Sequence, residues 1–285
     1  VMGGPKDANS KFAAEALADE NVELQSVGGR QELVEKARYL ADETKVFRVD
    51  RAQQEPLDSV TERNAANIVF DTMTGIDAVI LCDFGYGMLT AALLQRVLPA
   101  LRQNVPIITA DVSGRAALLN FQNVDLLCPT EREARASLTD HDAGLSTIAW
   151  EILQKTQARH IMITLEKRGL LVFERQSQRR ESPDWSGRLK GEQLPSFADH
   201  AVDQLGCGDA LLSAATLTLA AKGSLMEAAY LGNAAAAIET EMLGNRPVEL
   251  HRLTEFLPQR PELSGPALSL TPAQVAATAA DIAGA

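Results

Sequence analysis

Among the 285 residues, the stretch Val202-Asp203-Gln204-Leu205-Gly206-Cys207-Gly208-Asp209-Ala210-Leu211-Leu212 combines residue types that can do chemistry on an anion. An extended apolar approach leads into a glycine-rich turn, and the turn opens a helix predicted from about Asp209 to Lys222. Gly206 and Gly208 tolerate backbone angles that other residues resist, so successive N–H groups can converge on one point at the positive end of that helix. Asp209 then offers a carboxylate beside the anion hole, placed to take a proton from a hydroxyl as negative charge builds on a phosphoryl group. An Asp after a glycine turn is also an ordinary helix N-cap, and at this point both readings stand.

Other phosphate-binding loops fit worse. A dinucleotide fingerprint needs a third glycine where Leu211 stands, which argues against an oxidoreductase domain, and no Gly-Lys-Ser/Thr exists for a Walker-type loop. Further polar residues follow short apolar runs that read as buried parallel strands, where open sheets place their ligands. Asp83 to Leu89 follows the run 77–82, Asp111 to Arg115 follows 105–110, and Pro129-Thr130-Glu131-Arg132-Glu133 follows 124–128. Thr130 and Glu133 by themselves form a capping box. His160–Leu165 and Gly169–Phe173 read as a hairpin, and two Ala-rich helices follow, the second from about Leu225 to Glu241 with Asn233 at its middle. Cys82, Cys128 and Cys207 match no zinc spacing and read as free, partly buried thiols, and the four His are scattered.

Taken together, these segments resemble the ribokinase-like (PfkB) carbohydrate kinases. Asp203, Gly206, Gly208, Asp209, Ser213 and Ala214 match the family's second signature, while Gln204 and Cys207 depart from it. The resemblance implies Asp209 as base, Gly206, Cys207 and Gly208 as the hole for the transferring phosphoryl group, and ATP with Mg²⁺ as donor. It further implies that Glu133 organises Mg²⁺ through water, with Thr130 replacing the family's Asn. Thr164 and Gly169 match the hairpin bordering the nucleotide, where Glu166 replaces a Gly, and Asn233 matches an Asn beside the adenine. Asp83 and Gly87 match a sugar-side segment in which Tyr86 replaces a Lys. In the family's Asp-Pro-Lys/Arg segment only Asp111 is kept, with Arg115 nearby as a source of charge.

Before these units, a helix is predicted from about Asp7 to Asp19, a strand around Val22–Val27, and two lid strands within 33–50. The lid, Glu35-Lys36-Ala37-Arg38-Tyr39 and Phe47-Arg48-Val49-Asp50, looks most like the heptose 7-phosphate kinase domain of bifunctional ADP-heptose synthases. That likeness implies a substrate carrying its own phosphate near Lys36, Arg38 and Arg48, with Asp83 on the sugar. It also implies a homodimer through the lid and fusion to a nucleotidyltransferase domain. Lone arginines are also commonly exposed, which leaves a solvated strand face as the plain alternative for Arg38 and Arg48.

Composition sets the outer limits. With 46% apolar and 23% charged residues the chain can bury a large α/β core. A formal net charge of −11, from 38 acidic against 27 basic residues without a basic run, disfavours nucleic acid and anionic membranes as partners. The absence of any apolar run near membrane-spanning length, with only three cysteines, points to the cytoplasm. The expected fold is an α/β doubly wound, mostly parallel sheet with a small β lid over residues 1–257. The family's N-terminal strands have no counterpart in that reading, Gly3-Gly4 being no convincing substitute for its sugar-binding segment. A surface loop is expected over 176–191, and a Pro/Ser/Ala-rich tail with one helix after Thr271 over 258–285. Two functions follow: a MgATP-dependent sugar kinase, or a kinase-like ligand-binding module that scaffolds a larger synthase.

Overall fold

A computed structural model describes residues 4, 6–41, 44–51, 55–113, 117–175, 189–198 and 201–260. Most of the secondary structure expected from the sequence is present, and a six-stranded sheet carries the functional loops. Its strands are β3 (Ala78–Asp83), β4 (Ile107–Val112), β5 (Leu126–Leu127), β6 (His160–Thr164), β7 (Leu170–Arg175) and β8 (Leu189–Leu194), in that spatial order. β3 to β6 run parallel and β7 and β8 close the sheet antiparallel.

The inner strands β4 to β7 are largely apolar because both of their faces are covered. Leu127, Ile161, Ile163 and Phe173 point into one core, while Leu126, Met162, Leu170 and Val172 point into another. This is the period-two alternation of a strand, with each parity meeting its own layer of helices. The first layer contains α2 (Ser59–Thr72), α3 (Ala91–Asn104), α4 (Glu131–Leu138) and α5 (Leu145–Thr156); the second contains α6 (Cys207–Ala220) and α7 (Leu225–Thr240). The doubly wound expectation is thus met. Side chains cap the starts of α2 and α3. Asp58 accepts from Val60 and Thr61 N–H at α2, and Thr90 accepts from Leu93 N–H at α3.

The lid is a separate two-stranded ribbon of β1 (Glu35–Ala41) and β2 (Thr44–Arg51), paired antiparallel. Lys36 faces Asp50 and Arg38 faces Arg48, so one side of the ribbon is charged; Ala37 with Val49 and Tyr39 with Phe47 form an apolar other side. The two rings stack at 4.4 Å between centroids. The helix α1 (Ala8–Asp19) precedes the lid. Its N-cap Asp7 accepts from Ser10 N–H and also from Leu33 N–H at 2.9 Å, which ties the helix to the base of the lid.

Several expectations are corrected. Residues 22–27 form no strand: β3 ends the described sheet, and a β-rich stretch without a ladder partner remains irregular. For the same reason Cys82 on β3 is exposed, where partial burial was expected. The end of the predicted loop 176–191 belongs to β8, and the polar composition of Lys190 and Glu192 is that of an outer edge strand. A single 3₁₀ turn, Leu118–Asn120, follows β4. A last helix, α8 (Leu250–Phe256), had no sequence expectation; it packs with Phe197 and Tyr230. Arg115, most of the 176–191 loop and the tail helix after Thr271 lie outside the described residues.

Candidate active site

The N-terminus of α6 lies beside β3 and β4, with Asp111, Glu133 and Asp209 close enough to interact and Lys36 of the lid nearby. Gly206 is the N-cap of α6 and turns the chain with φ +88° and ψ −13°. That left-handed conformation favours glycine. Packing demands it as well, because a Cβ would collide with Asn245 Oδ1 and lie 2.8 Å from Glu239 Oε1. The first-turn N–H groups of Cys207, Gly208 and Asp209 have no intrahelical acceptor and point out of the helix start. Gly208 differs from its expectation. It sits inside the helix without positive φ, and a Cβ there would meet nothing within 4 Å. Its lack of a side chain serves to leave open space over the helix end.

Asp209 is therefore not the N-cap, since Gly206 holds that position and α6 has no side-chain cap. The ordinary capping explanation for Asp209 falls, and its carboxylate is free for another use. Burial raises its pKa above the usual carboxylate range, opposed by the charge of Lys36. Asp209 also keeps an open surface, where solvent screens both influences.

Asp111, at the end of β4, is the residue that sequence reasoning undervalued. Burial first, then the negative charges of Glu133 and Asp209, push its pKa up to about 7. Asp111 consequently feels both of the other carboxylates. The signal was present in the sequence as an acid directly after an apolar strand, but the register that aims it at Glu133 and Asp209 is a tertiary fact. Among the described residues no preformed cluster of three metal ligands exists. The mutual repulsion at Asp111 nevertheless suits a hydrated dication, which would relieve it. Glu133 fits that role only in part. Its Oε2 accepts from Thr130 N–H at 2.9 Å and from the Thr130 hydroxyl at 2.7 Å, completing the capping box of α4.

Asp83 is 7% exposed, and its carboxylate accepts from Gly85 N–H at 2.9 Å; burial raises its pKa and that hydrogen bond opposes the rise. Thr164 ends β6 beside Thr130, to which it is bridged. Gly169 adopts φ +86°, and a Cβ there would lie 2.5 Å from Pro195 C and 2.6 Å from Ser196 N. The Asn233 amide, 5% exposed, donates to Pro195 O at 2.8 Å. Gly169 and Asn233 thus meet at the segment following β8, a few residues from the sheet end, with the Asn233 side chain engaged in packing α7 against it. In the lid, Arg48 is paired with Asp50 at 2.7 Å, whereas Arg38 Nε is buried without a partner. The structure brings Asp209, Asp111, Glu133 and Lys36 into one electrostatic group and puts Thr164, Gly169 and Asn233 along a second wall.

Comparison with known proteins shows the family and the fold. The family model described as pfkB family carbohydrate kinase matches residues 5–249. A protein of a Nitratiruptor species named Bifunctional protein HldE is 23% identical over 254 residues, covering 88% of this chain and 51% of the relative. Its namesake in Helicobacter pylori is 28% identical over 232 residues, covering 79% of this chain and 46% of the relative. The chain spans about half the length of these curated relatives. Phosphofructokinase-2 from Escherichia coli in complex with potassium superposes with TM-score 0.72 at 20% identity, over 90% of this chain and 79% of that one. Arabidopsis thaliana ribokinase complexed with ribose and ATP superposes with TM-score 0.65 at 18% identity, over 90% and 80%. The two structures establish a ribokinase-like fold, and with the family match over most of its length the chain belongs to the pfkB family of carbohydrate kinases.

Proposed function

We propose that this chain transfers the terminal phosphoryl group of ATP to a sugar phosphate, with heptose 7-phosphate as acceptor and its anomeric hydroxyl as nucleophile. The observation that carries the reading is Asp209: an uncapped carboxylate in the first turn of α6, beside open N–H groups and beneath a basic lid face. Asp209 accepts the hydroxyl proton, the hydroxyl oxygen bonds to phosphorus, and the bond to ADP breaks. The N–H groups at Gly206, Cys207 and Gly208 hold the phosphoryl oxygens. Mg²⁺, held with its waters on the side of Asp111 and Glu133, would neutralise phosphate charge. Thr164, Gly169 and Asn233 border the nucleotide, and Asp83 with Arg38 and Arg48 borders the sugar phosphate. Buried Arg38 Nε without a partner supports an anionic substrate group at the lid.

Residues 1–257 serve in this reading as one cytoplasmic kinase domain followed by a linker. The bifunctional names of the relatives support a nucleotidyltransferase domain in a longer protein. Exposed Tyr39, Phe47 and Val49 support pairing of two lids in a homodimer. A second reading, a binding module without turnover, is favoured by the capping bonds of Glu133 and the structural bond of Asn233. Single-turnover transfer from labelled ATP to a panel of sugar phosphates, read beside MgATP calorimetry, separates the two. Transfer supports the kinase; MgATP binding with no transfer to any acceptor supports the module. A panel in which neutral ribose or fructose outcompetes every sugar phosphate rejects the proposed acceptor.

A further inference from the structure

Behind the start of α6 sits a carboxylate that phosphoryl transfer, as described above, does not use. Glu239, in the last turn of α7, is 1% exposed. Its Oε1 accepts from Arg246 N–H at 3.0 Å, while Oε2 is buried and has no hydrogen-bond partner among the described residues. Taking a carboxylate out of water is costly, and one hydrogen bond leaves most of its lone pairs unsatisfied. An apolar side chain of similar volume would fill the same space at less cost. What sets the carboxyl apart from such a side chain is the bond that Oε1 makes.

That bond lies directly behind the anion hole. A Cβ built on Gly206 would come within 2.8 Å of Glu239 Oε1 and would collide with Asn245 Oδ1, so both side chains rest against the glycine that opens α6. The stretches of chain on either side of this contact are tied together as well. Val202 N–H and Asp203 N–H both donate to Thr240 O, at 2.7 and 3.1 Å. The Asp203 carboxylate accepts from Leu205 N–H at 3.1 Å and from Gly244 N–H at 3.4 Å. The segment 202–206 that leads into the hole is thus clasped by the segment 240–246 that leaves α7, and the bond from Arg246 N–H to Glu239 closes the clasp. With no side-chain cap on α6, the turn at Gly206 sets the direction of its first N–H groups. On the strength of the phosphotransferase reading above, we propose that Glu239 is a positioning residue: by holding Arg246 N–H it keeps 240–246 seated against Gly206, and so aims the N–H groups of Cys207 and Gly208 at the transferring phosphoryl oxygens. Asn245 supports the same turn from the exposed side of the loop.

The test compares Glu239→Gln, Glu239→Leu and Asn245→Ala in the intact chain. Glu239→Gln keeps an oxygen that can accept from Arg246 N–H, so its kcat should match that of the unmodified chain. Glu239→Leu fills the space without an acceptor, and kcat should fall on the order of 10–100-fold, the cost of donors set slightly out of place, while the KM of the sugar phosphate stays unchanged. Asn245 is exposed, so Asn245→Ala should fold normally and lower kcat several-fold. Combining Glu239→Leu with Asn245→Ala should lower kcat by less than the product of the two single losses, because both act through one turn. A lower Tm with full kcat in Glu239→Leu overturns the proposal, as does a loss in Glu239→Gln equal to that in Glu239→Leu. If Glu239→Leu does not fold, full kcat in Asn245→Ala overturns it. Titration with inorganic phosphate, read at the Cys207 and Gly208 amide resonances, gives a readout independent of turnover. Glu239→Leu should bind phosphate several-fold more weakly than Glu239→Gln; equal titrations of the two variants overturn the proposal. If the unmodified chain phosphorylates no acceptor, the kinase reading fails, and the phosphate titration alone then decides whether Glu239 positions the hole.

Discussion

Replacing Asp111 with Asn should stabilise the protein at alkaline pH and leave it unchanged in acid. In the folded state this carboxyl is pushed from an ordinary 3.8 to about 7 by burial and by the charges of Glu133 and Asp209. A raised acid binds a proton in the folded chain that the unfolded chain has already lost, so stability falls as pH climbs from about 4 to about 7 and is flat above. The full rise corresponds to about 4 kcal/mol at ~1.4 kcal/mol per pH unit. Because Asp111 keeps some contact with solvent, about 2–3 kcal/mol is the expected cost at pH about 8. Asn has the same shape without the charge. Asp111→Asn should therefore raise the Tm by about 4 °C at pH about 8, given the unfolding entropy of a chain of this size, and by almost nothing at pH about 4. Mg²⁺ should stabilise the unmodified protein more than the variant at pH about 8, and a chelator should erase the difference. Differential scanning calorimetry across the pH range measures all of this. Equal melting of the two proteins at pH about 8, or an equal gain at both ends of the range, would refute the charge repulsion on which the site is built.

Further outcomes are expected at the start of α6 and around Asn233. Asp209→Asn should lower turnover on the order of 10²–10⁴-fold without lowering the Tm, because the residue caps nothing and burial already disfavours its charge; unchanged phosphoryl transfer removes it from the mechanism. Gly206→Ala combines left-handed strain with a collision against Asn245 and Glu239, and should cost about 2–4 kcal/mol in denaturant unfolding. Gly208→Ala, with open space around its Cβ, should instead gain up to about 1 kcal/mol of helix stability while weakening MgATP binding measured by calorimetry. Asn233→Leu should cost about 1–3 kcal/mol by leaving Pro195 O without its donor; a Tm equal to that of the unmodified protein would detach that amide from the packing of α7.

The parts of the fold legible in the sequence were those with local causes. Buried strands announce themselves as apolar runs, and the start of α4 as the Thr130–Glu133 capping box, which the structure contains. What stayed hidden depends on partners distant in sequence. Residues 22–27 have strand composition, yet pairing is a property of two segments, and no ladder partner lies beside them among the described residues. β8 and α8 carry little periodic signal because one is a polar edge and the other is a short helix whose burial comes from Phe197 and Tyr230. The site divides in the same way. Gly206 and Asp209 were readable from a turn and a helix start, whereas Asp111 acquires its unusual carboxyl only from the register that sets β4 against α4 and α6.

Charge placement links the departures from the family pattern. Tyr86 stands where the resemblance implies a lysine, which would leave the loop after β3 without a cation. The structure sets the Lys36 ammonium over that same tyrosine ring, so the positive charge reaches the loop from the lid. Cys207 and Gln204 alter side chains at a hole whose donors are backbone N–H groups, and the Cys207 thiol turns away from the hole to donate to Gln204 O at 3.1 Å. Neither change removes a donor. Asp111, repelled by Glu133 and Asp209, thus lies near a helix start without a side-chain cap and near a cation carried on a separate ribbon. If the site transfers a phosphoryl group as proposed, Lys36 on the lid supplies beside these carboxylates a positive charge that the loop after β3 lacks.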